Sequence, residues 1–167
     1  IIIVSAAGND GNRLSDVPVF PASYSIPNQV VVGSSDAWDQ LSAFSNFDAQ
    51  LVHILAPEKA VSTSIDGTSA YGDGVGTSIS APYVSGTLAL LKAEFPGFTS
   101  TQLIERLLTS TEGREYLDRV CLSKGRLNLN RAFTGASNNP GNDAFSTAEV
   151  LREGTGEITA SLIFATV

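Results

Sequence analysis

Gly76-Thr77-Ser78-Ile79-Ser80-Ala81-Pro82 decides the reading of this chain. Small residues bring a hydroxyl to the start of an apolar helical run. Val84, Leu88, Leu91 and Phe95 then repeat at i, i+4, i+7 and i+11, which predicts one buried helix face. Upstream, the apolar run Ile1-Ile2-Ile3-Val4 leads through Ser5-Ala6-Ala7-Gly8 to Asn9. A serine at a helix N-terminus and an amide donor at a strand end are two parts of an acyl-transfer site. Within the chain, neither a base nor the carboxylate that would orient it has a good candidate.

Around these two runs the pattern is α/β. Ile1 to Val4, Val30 to Val32 and Leu51 to Leu55 are short apolar runs closed by Gly, Ala or Pro. Such runs suit a mostly parallel sheet covered on both faces. Gly86, inside the first helix, is expected to allow close packing on the sheet. Pro82 is expected in the first helical turn, where N–H groups have no intrahelical acceptor. Thr99-Ser100-Thr101-Gln102 predicts a capping box opening a second helix, with Leu103, Ile104, Leu107 and Leu108 as its buried stripe. Ser69 to Gly74 is expected to form a flexible rim before the serine.

Composition narrows the partners. The 167 residues carry a net charge of −7, which argues against nucleic acid. No apolar run approaches membrane-spanning length. The chain has one cysteine, Cys121, which excludes an internal disulfide and is expected to be buried packing. There is no methionine, and both ends are strand-like, so a fragment cut inside structure is the expectation.

The Gly76–Pro82 run resembles the catalytic-serine signature of the subtilisin-like serine proteases, G-T-S-x-A-x-P. Ala6-Ala7-Gly8-Asn9 is similar to that family's oxyanion-hole segment. Phe44-Ser45-Asn46 and Leu55-Ala56-Pro57 resemble its F-S-N and M-A-P-G landmarks, in the same order. Coverage runs to about Ala136. The family's aspartate motif (D-T/S-G) and histidine motif (H-G-T-H) do not occur here. Ile79 stands where the family often has methionine, and Tyr83 where it commonly has histidine.

The resemblance implies a partial subtilisin-like three-layer α/β fold over 1–136, a linker at 137–142, and the start of an appended β-sandwich at 143–167. The alternative for the last segment is an extension packed on the protease domain. It also implies a secreted serine endopeptidase acting on protein or peptide substrates. Ser78 would be its nucleophile and Asn9 its oxyanion donor, with Ala7, Gly8 and Val19 lining the substrate. Val19-Phe20-Pro21-Ala22-Ser23-Tyr24 resembles an aromatic–proline segment below the specificity pocket, so a cis Phe20–Pro21 bond is expected. No cofactor is required. Calcium is raised by the family, with Asp36, Asp39, Asp48, Asp66 and Asp73 as loop carboxylates, but no D-x-D-x-D-G spacing marks a site.

The histidine, His53, lies in the apolar run Leu51-Val52-His53-Ile54-Leu55 and aligns with no catalytic position, so it is read as structural. Two other functions compete with proteolysis. One is a non-catalytic binding module on the same fold. The other is esterase or acyltransferase use of the serine, against which stands the lack of G-x-S-x-G around Ser78. The isolated chain is expected to be inactive and to associate through exposed strand edges.

Overall fold

The computed structural model describes residues 1–64 and 70–135. The expected linker, the expected appended β strands and Asp66 lie outside the described residues. In chain order the elements are β1 (Ile3–Ala6), β2 (Gln29–Ser35), β3 (Ile54–Pro57), β4 (Lys59–Thr63), β5 (Tyr71–Val75), α1 (Thr77–Glu94), α2 (Ser100–Thr109), β6 (Glu112–Gly113), β7 (Gly125–Arg126) and α3 (Leu129–Thr134). A single 3-10 turn covers Glu115–Leu117.

β1, β2, β3 and β7 run parallel in that order, and β6 closes the edge antiparallel to β7. Ala6 pairs with Val32, and Val32 with Ile54. β1 and β3 start later than their apolar runs, whereas β2 begins one residue before its own and extends beyond it. Before β3 the delay has a local cause: the Asp48 carboxylate accepts the Gln50 and Leu51 N–H groups, holding a turn across the start of the run. β2 is buried along its whole length, as a central parallel strand must be.

Alternation along β2 feeds two cores. Val30 and Val32, with Ile54 and Ala56, pack under Val84, Leu88 and Leu91 of α1 and Leu103, Ile104 and Leu107 of α2. Val31 and Leu55 face the other way, onto Leu14, Ala22, Val52, Leu117 and Cys121. Each fully buried Leu or Val contributes about 1.5–3 kcal/mol relative to exposure. The Cys121 thiol is buried, and burial pushes its pKa up, so it packs rather than reacts.

The predicted capping box of α2 is present. Thr99 Oγ1 accepts the Gln102 N–H and Gln102 Oε1 accepts the Thr99 N–H. Three local expectations need correction. Gly86 is exposed, and a side chain there would meet nothing within 4 Å, so it permits no close approach to the sheet. Pro82 lies in the second turn of α1, because the helix begins at Thr77. It therefore denies the Ser78 carbonyl its usual i+4 donor. The rim before the serine is regular over Tyr71–Val75, where β5 pairs antiparallel with β4.

His53 lies at the threshold of β3. Its Nδ1 accepts the Val31 N–H at 3.0 Å, and burial lowers its pKa below the ordinary 6.5. The folded state thus holds the ring neutral. Its contribution is intact above pH 6.5. It is lost as pH falls from there through the folded value, because the unfolded chain binds the proton first. Urea unfolding between pH 7.5 and 5 should show falling stability, and the slope should flatten in His53→Asn. An unchanged slope in that variant would assign the acid sensitivity elsewhere.

Candidate active site

Two backbone segments converge at the carboxyl end of the parallel strands, where open α/β sheets place their ligands. The first follows β1 through Ala7 and Gly8 to Asn9. The second is the turn from β5 through Gly76 into α1. Gly8 and Gly76 have φ values of 105° and 138°, conformations that side-chain-bearing residues rarely adopt. Gly8 and the residue after Gly76, Thr77, hydrogen-bond across to the other segment.

Thr77 and Asn9 lock the segments together. The Gly8 N–H donates to Thr77 Oγ1 at 3.1 Å. The Thr77 hydroxyl and the Thr77 N–H both donate to Asn9 Oδ1, each at 2.9 Å. That double acceptance fixes the amide: its oxygen is occupied, and its NH2 is the free end. A Cβ placed on Gly76 would sit 3.3 Å from Asn9 Nδ2 and 3.4 Å from Ser78 Oγ. The amide donor and the hydroxyl therefore flank one point.

Ser78 is exposed, and its Oγ has no hydrogen-bond partner among the described residues. Its backbone N–H lies in the first turn of α1, where N–H groups have no intrahelical acceptor, and the helix dipole adds partial positive charge there. The Ile79 side chain lies against Gly74 of β5. The arrangement offers a hydroxyl beside the Asn9 NH2 and a first-turn helix N–H.

The remaining expected residues distribute as follows. Ala7 is buried, Gly8 half-buried, and Val19 half-buried with its Cγ1 against the Gly8 position. The Phe20–Pro21 bond is cis. The His53 ring faces a separate cavity with Tyr24, Gln29, Gln50 and Ile104, which includes neither Asn9 nor Ser78.

The loop carboxylates do not gather, and among the described residues no group of three metal-binding side chains forms. Asp36 caps the Trp38 and Gln40 N–H groups, Asp39 pairs with Arg114 and Arg126, and Asp73 pairs with Lys59. Asp48 is buried. Burial alone would raise its pKa, but the Ser15 hydroxyl and the N–H groups of Gln50, Leu51 and Ser15 outweigh it and hold the carboxyl below its usual range. These four carboxylates, each engaged by its own partners, share no common set of oxygens.

Two residues matter more than the sequence suggested. Thr77, quoted only as part of a turn, orients the Asn9 amide. Asn46, quoted only as a landmark, is fully buried. It donates to the Ala7 carbonyl and accepts the N–H groups of Asp10 and Asn12, so it holds Asn9 on both sides. A polar residue inside Ala43-Phe44-Ser45-Asn46-Phe47 was the available signal, since buried amides need several partners.

A family model described as the subtilase family matches residues 1–146. Subtilisin amylosacchariticus from Bacillus subtilis subsp. amylosacchariticus is 33% identical over 108 residues, which is 64% of this chain and 27% of that protein. The epidermin leader peptide processing serine protease of Staphylococcus aureus superposes with a TM-score of 0.68 at 26% identity, covering 83% of this chain and 41% of that one. A chain from the subtilase cytotoxin SubAB assembly gives a TM-score of 0.70 at 25% identity, over 80% and 48%. The chain thus spans from about a quarter to a half of the length of these relatives.

Proposed function

This chain belongs to the subtilase family, and from that premise we propose that Ser78 is the nucleophile of a serine endopeptidase that cleaves protein or peptide substrates. One observation carries the reading. The Ser78 hydroxyl, without a hydrogen-bond partner among the described residues, and the Asn9 NH2 lie 3.4 and 3.3 Å from one point, and the Asn9 oxygen is already held by Thr77. In the proposed reaction the Ser78 Oγ attacks the scissile carbonyl carbon while a base takes its proton. The carbonyl oxygen gains negative charge between the Asn9 NH2 and the Ser78 N–H. Collapse expels the amine, which receives the proton, and water then hydrolyses the acyl-enzyme. His53, the one histidine of this sequence, is engaged elsewhere, so the base of the proposed reaction is a histidine outside this chain. Secretion is part of the proposal, from the family's habit. Among the described residues no helix is long and apolar enough to cross a membrane.

The test is hydrolysis of a peptide library by the full-length protein that carries this chain, with cleavage sites mapped by mass spectrometry. Internal peptide-bond cleavage is the expected result. A folded protein that binds peptides without cutting them would instead favour the binding-module alternative.

Substrate selection should pass through Val19. Its Cγ1 lies 3.8 Å from the point a Cβ on Gly8 would occupy, which supports a place for Val19 beneath the side chain preceding the cut. Val19→Gly should move the preference toward larger apolar side chains. A difference of one or two methylenes is worth about 1–3 kcal/mol, so kcat/KM for those substrates should rise about tenfold or more relative to alanine. Unchanged ratios would remove Val19 from the pocket.

A further inference from the structure

α1 is tied to the sheet by a hydroxyl two residues beyond the nucleophile. Ser80 is fully buried, and its Oγ lies 2.9 Å from the Pro57 carbonyl and 2.8 Å from the Ser34 Oγ. The Gly76 carbonyl is a weaker contact at 3.4 Å. A carbonyl accepts only, so Ser80 donates to Pro57 and Ser34 donates to Ser80. Ser34, also fully buried, lies in β2, and Pro57 ends β3. From Ser34 the chain of bonds continues. The Ser34 N–H donates to Ser45 Oγ, Ser45 Oγ donates to the Asn46 carbonyl, and Asn46 holds Ala7 and Gly8. The motif quoted above has alanine where this chain has Ser80, so the hydroxyl is not demanded by the turn.

We propose that Ser80 and Ser34 form a positioning pair that sets the depth of the Ser78 turn against β2 and β3, in register with the Asn9 segment. The proposal rests on the acyl-transfer reading of Ser78. The pair touches no substrate. It acts by holding the first turn of α1 at a fixed height above the strand ends, where a small displacement of the nucleophile costs rate. Removing the Ser80 hydroxyl orphans two groups at once, the Pro57 carbonyl and the Ser34 hydroxyl. Removing that of Ser34 leaves Ser80 bonded to Pro57. The two effects should therefore differ in size and should not add.

The test uses the full-length protein with active sites titrated by a fluorophosphonate, so that kcat is expressed per competent site. Ser80→Ala should lower kcat and the labelling rate constant about tenfold, with KM unchanged. Ser34→Ala should give a smaller fall. The double variant should fall no further than Ser80→Ala. Unchanged kcat per titrated site in both single variants, even with a lowered Tm, would reduce the pair to ordinary packing and overturn the proposal. Absence of labelling in the wild-type protein would defeat the acyl-transfer reading, and this one with it.

Discussion

Ser78→Ala is expected to abolish peptide hydrolysis while leaving the fold intact. The Ser78 side chain is exposed and makes no hydrogen bond among the described residues, so its removal costs the folded state little. What disappears is the atom that attacks the carbonyl in the proposed reaction. Losing the nucleophile of such a triad lowers kcat by roughly a millionfold, a magnitude known from subtilisin itself rather than read from this geometry. Residual turnover should come from oxyanion donors and binding alone. Equal thermal unfolding of variant and wild type would show that the loss is chemical. Substantial remaining hydrolysis in pure variant protein would move the nucleophile elsewhere.

Asn9→Ala should produce the second-largest effect, and one of a different kind. In the proposed reaction the Asn9 NH2 meets little charge on the bound amide carbonyl but full charge on the tetrahedral oxyanion. Its loss should therefore lower kcat by about 10²–10³, again the range known from subtilisin, with KM nearly constant. Alanine also strips the Thr77 N–H and hydroxyl of their shared acceptor, which adds a structural fault. Asn9→Asp separates the two effects. It keeps an oxygen for Thr77 but offers no N–H, and at neutral pH it sets a negative charge beside the developing one. Aspartate should be as slow as alanine or slower while restoring its stability. A rise in KM with unchanged kcat in both variants would make Asn9 a substrate-binding residue.

Much of this site was legible because its parts are short and local. The run Gly76 to Pro82 carries the turn, the hydroxyl and the helix start in consecutive residues. The capping box at Thr99 and Gln102 is equally local, and both were readable without tertiary information. The strands were readable as apolar runs, but their limits were not. Where β3 begins depends on Asp48 folding a turn over Leu51, and that carboxylate lies outside the apolar pattern. Gly86 misled because a small residue in a helix can face the sheet or solvent, and spacing alone does not choose. Pro82 misled by one turn, since α1 begins at Thr77 and its N-cap is Gly76.

The positioning residues were the hardest to see. Thr77, Asn46, Ser34 and Ser80 act through partners tens of residues away in sequence. Nothing in a linear pattern distinguishes a buried serine that links two elements from one that faces water. The contrast with Cys121 is instructive. Its apolar neighbours already implied burial, and burial is all its role requires.

An activated Ser78 in the complete protein would react with a fluorophosphonate as an ordinary serine does not. The most direct test is fluorophosphonate labelling of the full-length protein, followed by mass mapping of the modified peptide. One phosphonyl adduct is expected, on Ser78, formed by folded protein and not by protein denatured before labelling. A folded protein that remains unmodified, or an adduct on any other residue, would contradict the proposed role of Ser78.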